Sequence, residues 1–173
     1  MRYLLPLTLF LNSIISSQTA RTFDDHAGLE EVFRNYIKAI DSKNIDSISR
    51  FFDYTDCTLH FGENKPMVVK SKEQLHNLLS SWAVSPKSFF VSTKLDDINI
   101  APVWDDFNTK LCTVDATYSR IGNSNTILSK GRSLYHFYRD KNVYPYRLLK
   151  KWKKWKIYMI TDLPIEDGVG LSD

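Results

Sequence analysis

LEEVFRNYIKAIDSKNIDSISRFFDYTDCTLHFG, from Leu29 to Gly62 of a 173-residue chain, decides the fold. Leu29, Val32, Phe33, Tyr36, Ile37 and Ile40 recur at helical spacing, so one face of a long helix is apolar and must be buried. Asp24 or Asp25 is placed to cap its start. Ser42-Lys43-Asn44 interrupts the pattern, and a shorter helix follows with Ile45, Ile48, Phe51 and Phe52 inward. After Tyr54-Thr55-Asp56 the run Cys57 to Phe61 alternates, as a strand does.

Outward from this stretch the punctuation is regular. Residues 62–66 form a turn, and Met67-Val68-Val69 a short returning strand. Ser71 and Gln74 have the spacing of a capping box, ahead of a helix whose apolar face is Leu75, Leu78, Leu79 and Trp82. Ser85-Pro86 stops that helix, and from Phe89 the pattern becomes β. Phe89 to Val103 reads as one long strand with room for a bulge. Lys110 to Arg120 alternates with Cys112, Val114, Ala116 and Tyr118 on its apolar side. Gly122-Asn123-Ser124-Asn125 is a hairpin turn, Thr126 to Arg139 returns, and Trp155 to Thr161 closes the series. Helix, helix, strand, strand, helix and then four strands predicts an α+β domain. Its strongly curved, mixed but mainly antiparallel sheet would wrap around the long N-terminal helix.

Hydrophobic residues make up 43% of the chain, enough for a packed core and too many for disorder. Met1-Arg2, an apolar run from Tyr3 to Ile15 and the small residues Ser16 to Ala20 have the order of a secretory signal peptide. The run is shorter than the roughly 20 apolar residues that span a bilayer. Residues 1–20 are therefore expected to be removed, after Ser17 or Ala20, leaving residues 21–173 as one secreted domain with no transmembrane segment. Cys57 and Cys112 make an even pair in that compartment, open to a disulfide or to two buried thiols. The net charge of +3 is uneven: residues 130–156 hold ten Lys and Arg against one acid, Asp140. That excess would attract anionic partners.

The mature chain resembles the nuclear transport factor two-like superfamily, which includes ketosteroid isomerase and the SnoaL-type polyketide cyclases. The resemblance rests on Arg34 to Asp41, Asn44-Ile45-Asp46, Phe51-Phe52, Cys57-Thr58-Leu59, the turn at Gly62 and the closing Trp155-Lys156-Ile157. It implies the cone fold also described as cystatin-like, and dimerisation through the outer face of the sheet. No Q-x-V-x-G segment of a cystatin-type protease inhibitor is present. In the isomerase branch a first-helix Tyr donates to the developing oxyanion, a first-strand carboxylate is the base, and a protonated Asp completes the site. By this resemblance Tyr36 takes the Tyr position and His60 the base position, where an imidazole can still move protons. The third position falls near Arg132, which cannot act as a protonated acid.

Other readings compete with each of these. Tyr36 lies on the core stripe, and strand alternation sets His60 opposite Cys57, Leu59 and Phe61. His136 and Asp115, on neighbouring strands, are a second acid/base candidate, subject to strand register. Tyr118, His136 and Arg132 are candidates for lining a ligand site. The segment Arg147 to Lys156, RLLKKWKKWK, offers Lys150, Lys151, Trp152, Lys153 and Lys154 to a polyanion or a membrane surface, or else protects an edge strand. The histidines, at 26, 60, 76 and 136, lack zinc-ligand spacing. No phosphate loop or G-x-S-x-G elbow occurs, so neither a metal nor a cofactor nor a nucleic acid is expected. The expected role is non-enzymatic binding of a small apolar ligand or a partner protein. The alternatives are an isomerase- or dehydratase-like enzyme using Tyr36 and His60, and surface binding through the Lys/Trp segment.

Overall fold

The computed structural model describes residues 27–55, 57–61, 65–105, 109–142, 151–152 and 154–165, with the backbone alone for residues 27, 105, 140–142, 151 and 152. The leader at 1–20, the capping Asp24 and Asp25, and Arg147, Lys150 and Lys153 lie outside the described residues.

Helix α1 spans Ala27–Ser42. Its predicted stripe is the buried one: Leu29 and Phe33 are fully buried, Tyr36, Ile37 and Ile40 nearly so, and Val32 packs at the margin. The break at Ser42-Lys43-Asn44 has a clear geometry. Lys43 adopts a left-handed φ of 53°, a conformation that costs a non-glycine residue about 1 kcal/mol. Its Nζ donates to the Asp41 carbonyl at 3.1 Å and to the Phe90 carbonyl at 2.9 Å, tying the turn to the sheet. Asn44 then caps helix α2, Ile45–Ser49, by accepting from the Ser47 N–H at 2.9 Å.

Strands β1 (Cys57–His60) and β2 (Met67–Val69) form an antiparallel pair. Helix α3, Lys72–Ala83, is capped by Ser71, whose Oγ accepts from the Gln74 N–H at 3.1 Å. The Gln74 side chain reaches back to the Lys70 N–H, one residue before the cap. A 3₁₀ turn at Pro86–Ser88 follows, and strand begins at Ser92 rather than at the expected Phe89. Four long strands come next: β3 (Ser92–Asp105), β4 (Thr109–Ile121), β5 (Ile127–Asn142) and, after the two-residue β6 (Lys151–Trp152), β7 (Lys156–Leu163). The expected bulge in β3 occurs twice, between Leu95 and Asp97 and between Pro102 and Trp104.

The sheet order is β2-β1-β7-β5-β4-β3, with β6 paired to β5 off that path. Among the described strands β1 and β7 pair in parallel and the other pairs are antiparallel. The concave face holds Cys57, Leu59, Cys112, Val114, Ala116, Tyr135, Phe137, Ile157 and Ile160, all buried beneath α1. The Phe33 ring lies 4.9 Å from Tyr135 and 6.4 Å, edge on, from Phe137. Tyr36 meets Phe51, Phe52 and Tyr135 at 5.7–5.9 Å. This is the α+β cone expected from the sequence.

The disulfide expectation is corrected. Cys57 and Cys112 are both buried thiols, not joined to each other. Strands β7 and β5 stand between β1 and β4. At about 4.8 Å per strand that separates them by about 14 Å along the sheet, twice the roughly 7 Å limit for bridging.

Candidate functional site

The strand registers decide which side chains meet. Leu59 pairs with Ile160 and Tyr135 with Ile160, all on the concave face. His60 pairs with Thr161, and Leu134 with the same Thr161, so His60 belongs to the convex face. Tyr36 is inside the cone and only 5% exposed. The sheet therefore separates Tyr36 from His60, and the expected catalytic pair is not assembled. One residue of alternation is the whole reason: Cys57 and Leu59 take the core positions of β1.

Around Tyr36 the cone carries a cluster of which the sequence singled out Tyr118 but not Tyr135, Ser133, Asp162 or Arg120. Tyr118 and Tyr135 project inward from β4 and β5, with Ser133 and Asp162 beside them. The Ser133 hydroxyl donates to Asp162 Oδ1 at 2.6 Å and lies 3.4 Å from the Tyr118 hydroxyl. Arg120 closes the mouth. Its guanidinium stacks 4.1 Å from the Phe90 ring and 4.6 Å from the Tyr118 ring, and it donates to the Thr93 hydroxyl. Thr93 in turn donates from its hydroxyl to Asp41 Oδ1 at 2.5 Å and from its N–H to Oδ2 at 3.1 Å. Lys43 lies over the same Phe90 ring at 4.1 Å. Burial, then the neighbouring Tyr135, pushes the Tyr36 phenol well above its ordinary pKa, with Arg120 acting in the opposite sense. Burial likewise raises Tyr135. These phenols stay protonated, so they are packing groups and neutral hydrogen-bonding groups, not bases. The signal in the sequence was a period of two, Gly131-Ser133-Tyr135-Phe137, opposite Cys112 to Tyr118. Arg120, at the end of an apolar alternation, gave no such signal.

Tyr118, His136 and Arg132 do not share a site, because Tyr118 is concave and the other two are convex. His136 sits directly opposite Thr113, with its Nδ1 3.2 Å from the threonine hydroxyl. Its ring is 5.9 Å from Tyr158. Burial lowers its pKa. Asp115 is not its partner: that carboxylate takes a bidentate contact from Arg132 at 3.0 and 2.6 Å. The Arg132 hydrogen bond, outweighing partial burial, holds Asp115 below the usual carboxylate range. The expected acid/base pair is thus two separate convex-face pairs, offset by two positions along β4.

At one end of the convex face a cleft of about 250 Å³ is lined by Asp53, Tyr54, Thr55, Tyr138, Lys154 and Lys156, with Phe52 at its floor. It exists because the chain after α2 runs along the start of β7: Asp53 N–H donates to the Ile157 carbonyl, and Ile157 N–H to the Phe51 carbonyl, each at 2.8 Å. Asp53 accepts from the Thr55 N–H at 3.1 Å, the Thr55 hydroxyl at 2.6 Å and the Tyr138 hydroxyl. Burial alone would raise the Asp53 carboxyl, but those hydrogen bonds and nearby Lys156 outweigh it, and the carboxyl is held low. Lys154 is exposed; Lys156 donates to the Arg50 carbonyl, and burial lowers its pKa. Of the Lys/Trp segment, Lys151 and Trp152 form β6, and Lys154 lines this cleft. Among the described residues no His, Cys, Asp and Glu group is arranged to hold a metal, and no helix is long and apolar enough to cross a membrane.

No protein-family model and no curated protein matches the chain. Solved structures do match in fold. A ketosteroid isomerase-like protein from Erwinia carotovora atroseptica is 11% identical, with a TM-score of 0.52 over 83% of this chain and 100% of that one. A domain of unknown function with a cystatin-like fold from Nostoc punctiforme is 13% identical, with a TM-score of 0.53 over 82% and 77%. An NTF-2 like protein of unknown function from Shewanella oneidensis is 9% identical, with a TM-score of 0.50 over 78% and 94%. The chain shares the α+β cone fold of these structures. At these identities the likeness is one of fold alone.

Proposed function

We propose that this protein is a non-enzymatic binding domain that acts outside the cell and engages its partners with its outer surface. The observation that carries this reading is the separation of Tyr36 from His60 by the sheet, together with a cone mouth filled by Arg120 between Phe90 and Tyr118. A ketone substrate would need a base on the same side as the phenol within hydrogen-bonding reach; here the phenol is enclosed by Phe33, Phe51, Phe52 and Tyr135. Outer surfaces, in contrast, carry apolar side chains without cover. Phe89 is 69% exposed, and Val91, Ile127 and Leu128 are all more than half exposed near the mouth. The leader-like residues 1–20 favour action outside the cell.

The test joins chemistry and binding. The purified mature domain is incubated with a β,γ-unsaturated ketosteroid and enone formation followed by ultraviolet absorbance. A panel of small apolar ligands is then screened by thermal shift. This reading expects the buffer rate and no saturable stabilisation. Turnover lost in both Tyr36→Phe and His60→Ala, or a ligand whose effect vanishes in Tyr36→Phe, overturns it.

A further inference from the structure

The convex cleft beside Asp53 has features that the packed cone does not explain. It is recessed, and its lining mixes charged and hydroxyl groups with the rings of Phe52, Tyr54 and Tyr138. Its only carboxylate, among the lining residues, is already engaged by three donors from Thr55 and Tyr138. Its two ammonium groups are not so engaged: Lys154 is exposed, and Lys156 spends one donor on the Arg50 carbonyl out of the three an ammonium carries. The cleft therefore presents positive charge against a wall of hydroxyls from Thr55, Tyr54 and Tyr138. Tyr54 also offers a ring that is 40% exposed.

We propose that this cleft is the docking site for a sulfated unit of an extended anionic polysaccharide. Lys154 and Lys156 face the sulfate and the Tyr54 ring flanks the sugar, and the excess of ten Lys and Arg over one acid in the sequence of residues 130–156 favours an extended polyanion over a single small anion. Three points favour this partner over an anionic bilayer. The lining is recessed, whereas a flat membrane meets protruding groups. The ammonium groups of Lys154 and Lys156 stand beside the rings of Tyr54 and Tyr138, which suits a sulfated sugar, whereas the one wholly apolar lining residue, Phe52, is buried and cannot enter acyl chains. A volume of about 250 Å³ holds one ring of a polymer, with the remainder of the polymer lying along the surface. The assignment specifies the partner of the outer-surface binding proposed above and rests on that reading.

The experiment is calorimetric titration of the full mature chain with heparin, repeated with fully desulfated heparin and with vesicles containing phosphatidylserine. Heparin is expected to bind with an affinity that falls as salt rises, and desulfated heparin not to bind. Lys154→Glu should weaken binding about tenfold, since it reverses a charge facing the ligand. Asp53→Asn keeps the shape, removes the one opposing charge and should tighten binding about threefold. Lys87→Glu, exposed on the 3₁₀ turn, should leave the affinity within about twofold. Near-UV circular dichroism confirms that each variant is folded. Equal loss in Lys87→Glu and Lys154→Glu, no tightening in Asp53→Asn, or vesicle binding without heparin binding each overturns the assignment. So does a folded parent that ignores heparin. That result leaves the broader outer-surface reading standing, because only turnover or ligand binding that depends on Tyr36 removes it.

Discussion

Arg120→Ala is the substitution that probes the filled cone most severely. Its guanidinium lies between two rings, 4.1 Å from Phe90 and 4.6 Å from Tyr118, and donates to Thr93. Each stacked contact at a half-buried position is worth about 1 kcal/mol, and the hydrogen bond adds about 1 kcal/mol. The expected loss is about 3 kcal/mol, with non-additivity leaving a range of about 2–4. For a domain of this size that lowers the melting temperature by about 6–12 °C. Arg120→Lys keeps the charge but not the plane and should recover less than half of the loss. Urea unfolding followed by fluorescence of the four tryptophans measures both. The transition midpoint should fall without a change in slope. An Arg120→Ala protein as stable as the parent would refute the reasoning, since the mouth would then be held together by other contacts.

Four further outcomes follow from the same packing. A Cβ added at Gly131 would lie 2.4–2.6 Å from the Tyr118 ring, so Gly131→Ala should destabilise by about 1–3 kcal/mol, with Tyr118→Leu in the same chain restoring part of the loss in urea unfolding. Ellman titration should find no thiol reacting in the native state and two after denaturation. Both cysteines are buried, and burial pushes the Cys57 thiol up to about 12. His136 has its pKa lowered by burial, so the unfolded chain binds the extra proton. Stability should therefore fall as pH drops below about 6.5, the unfolded value, and the slope should shrink in His136→Gln. The exposed Arg132–Asp115 pair should contribute under about 1 kcal/mol by double-mutant cycle, and less in high salt.

The architecture was legible because it is written in periodicity. The stripe from Leu29 to Ile40, the alternation of β4 and the Ser71 cap each report a local rule, and the structure obeys them. What escaped the sequence depends on contacts between distant strands. Cys57 and Cys112 look like a pair only until β7 and β5 are placed between them. Asp115 and His136 lie on adjacent strands, yet the register puts Thr113 opposite His136 and leaves Asp115 to Arg132. Asp53 gave no sign of its cleft, because that cleft forms only where the turn after α2 meets the start of β7, 104 residues later at Ile157. Arg120 is an unremarkable strand-end arginine until Phe90 and Tyr118 close on it.

The most direct test of the central claim is a crystal structure of the mature domain soaked with a cocktail of small apolar fragments. The account predicts Arg120 still stacked between Phe90 and Tyr118, with no fragment inside the cone. A fragment bound against Tyr36, with Arg120 displaced from the mouth, would contradict it.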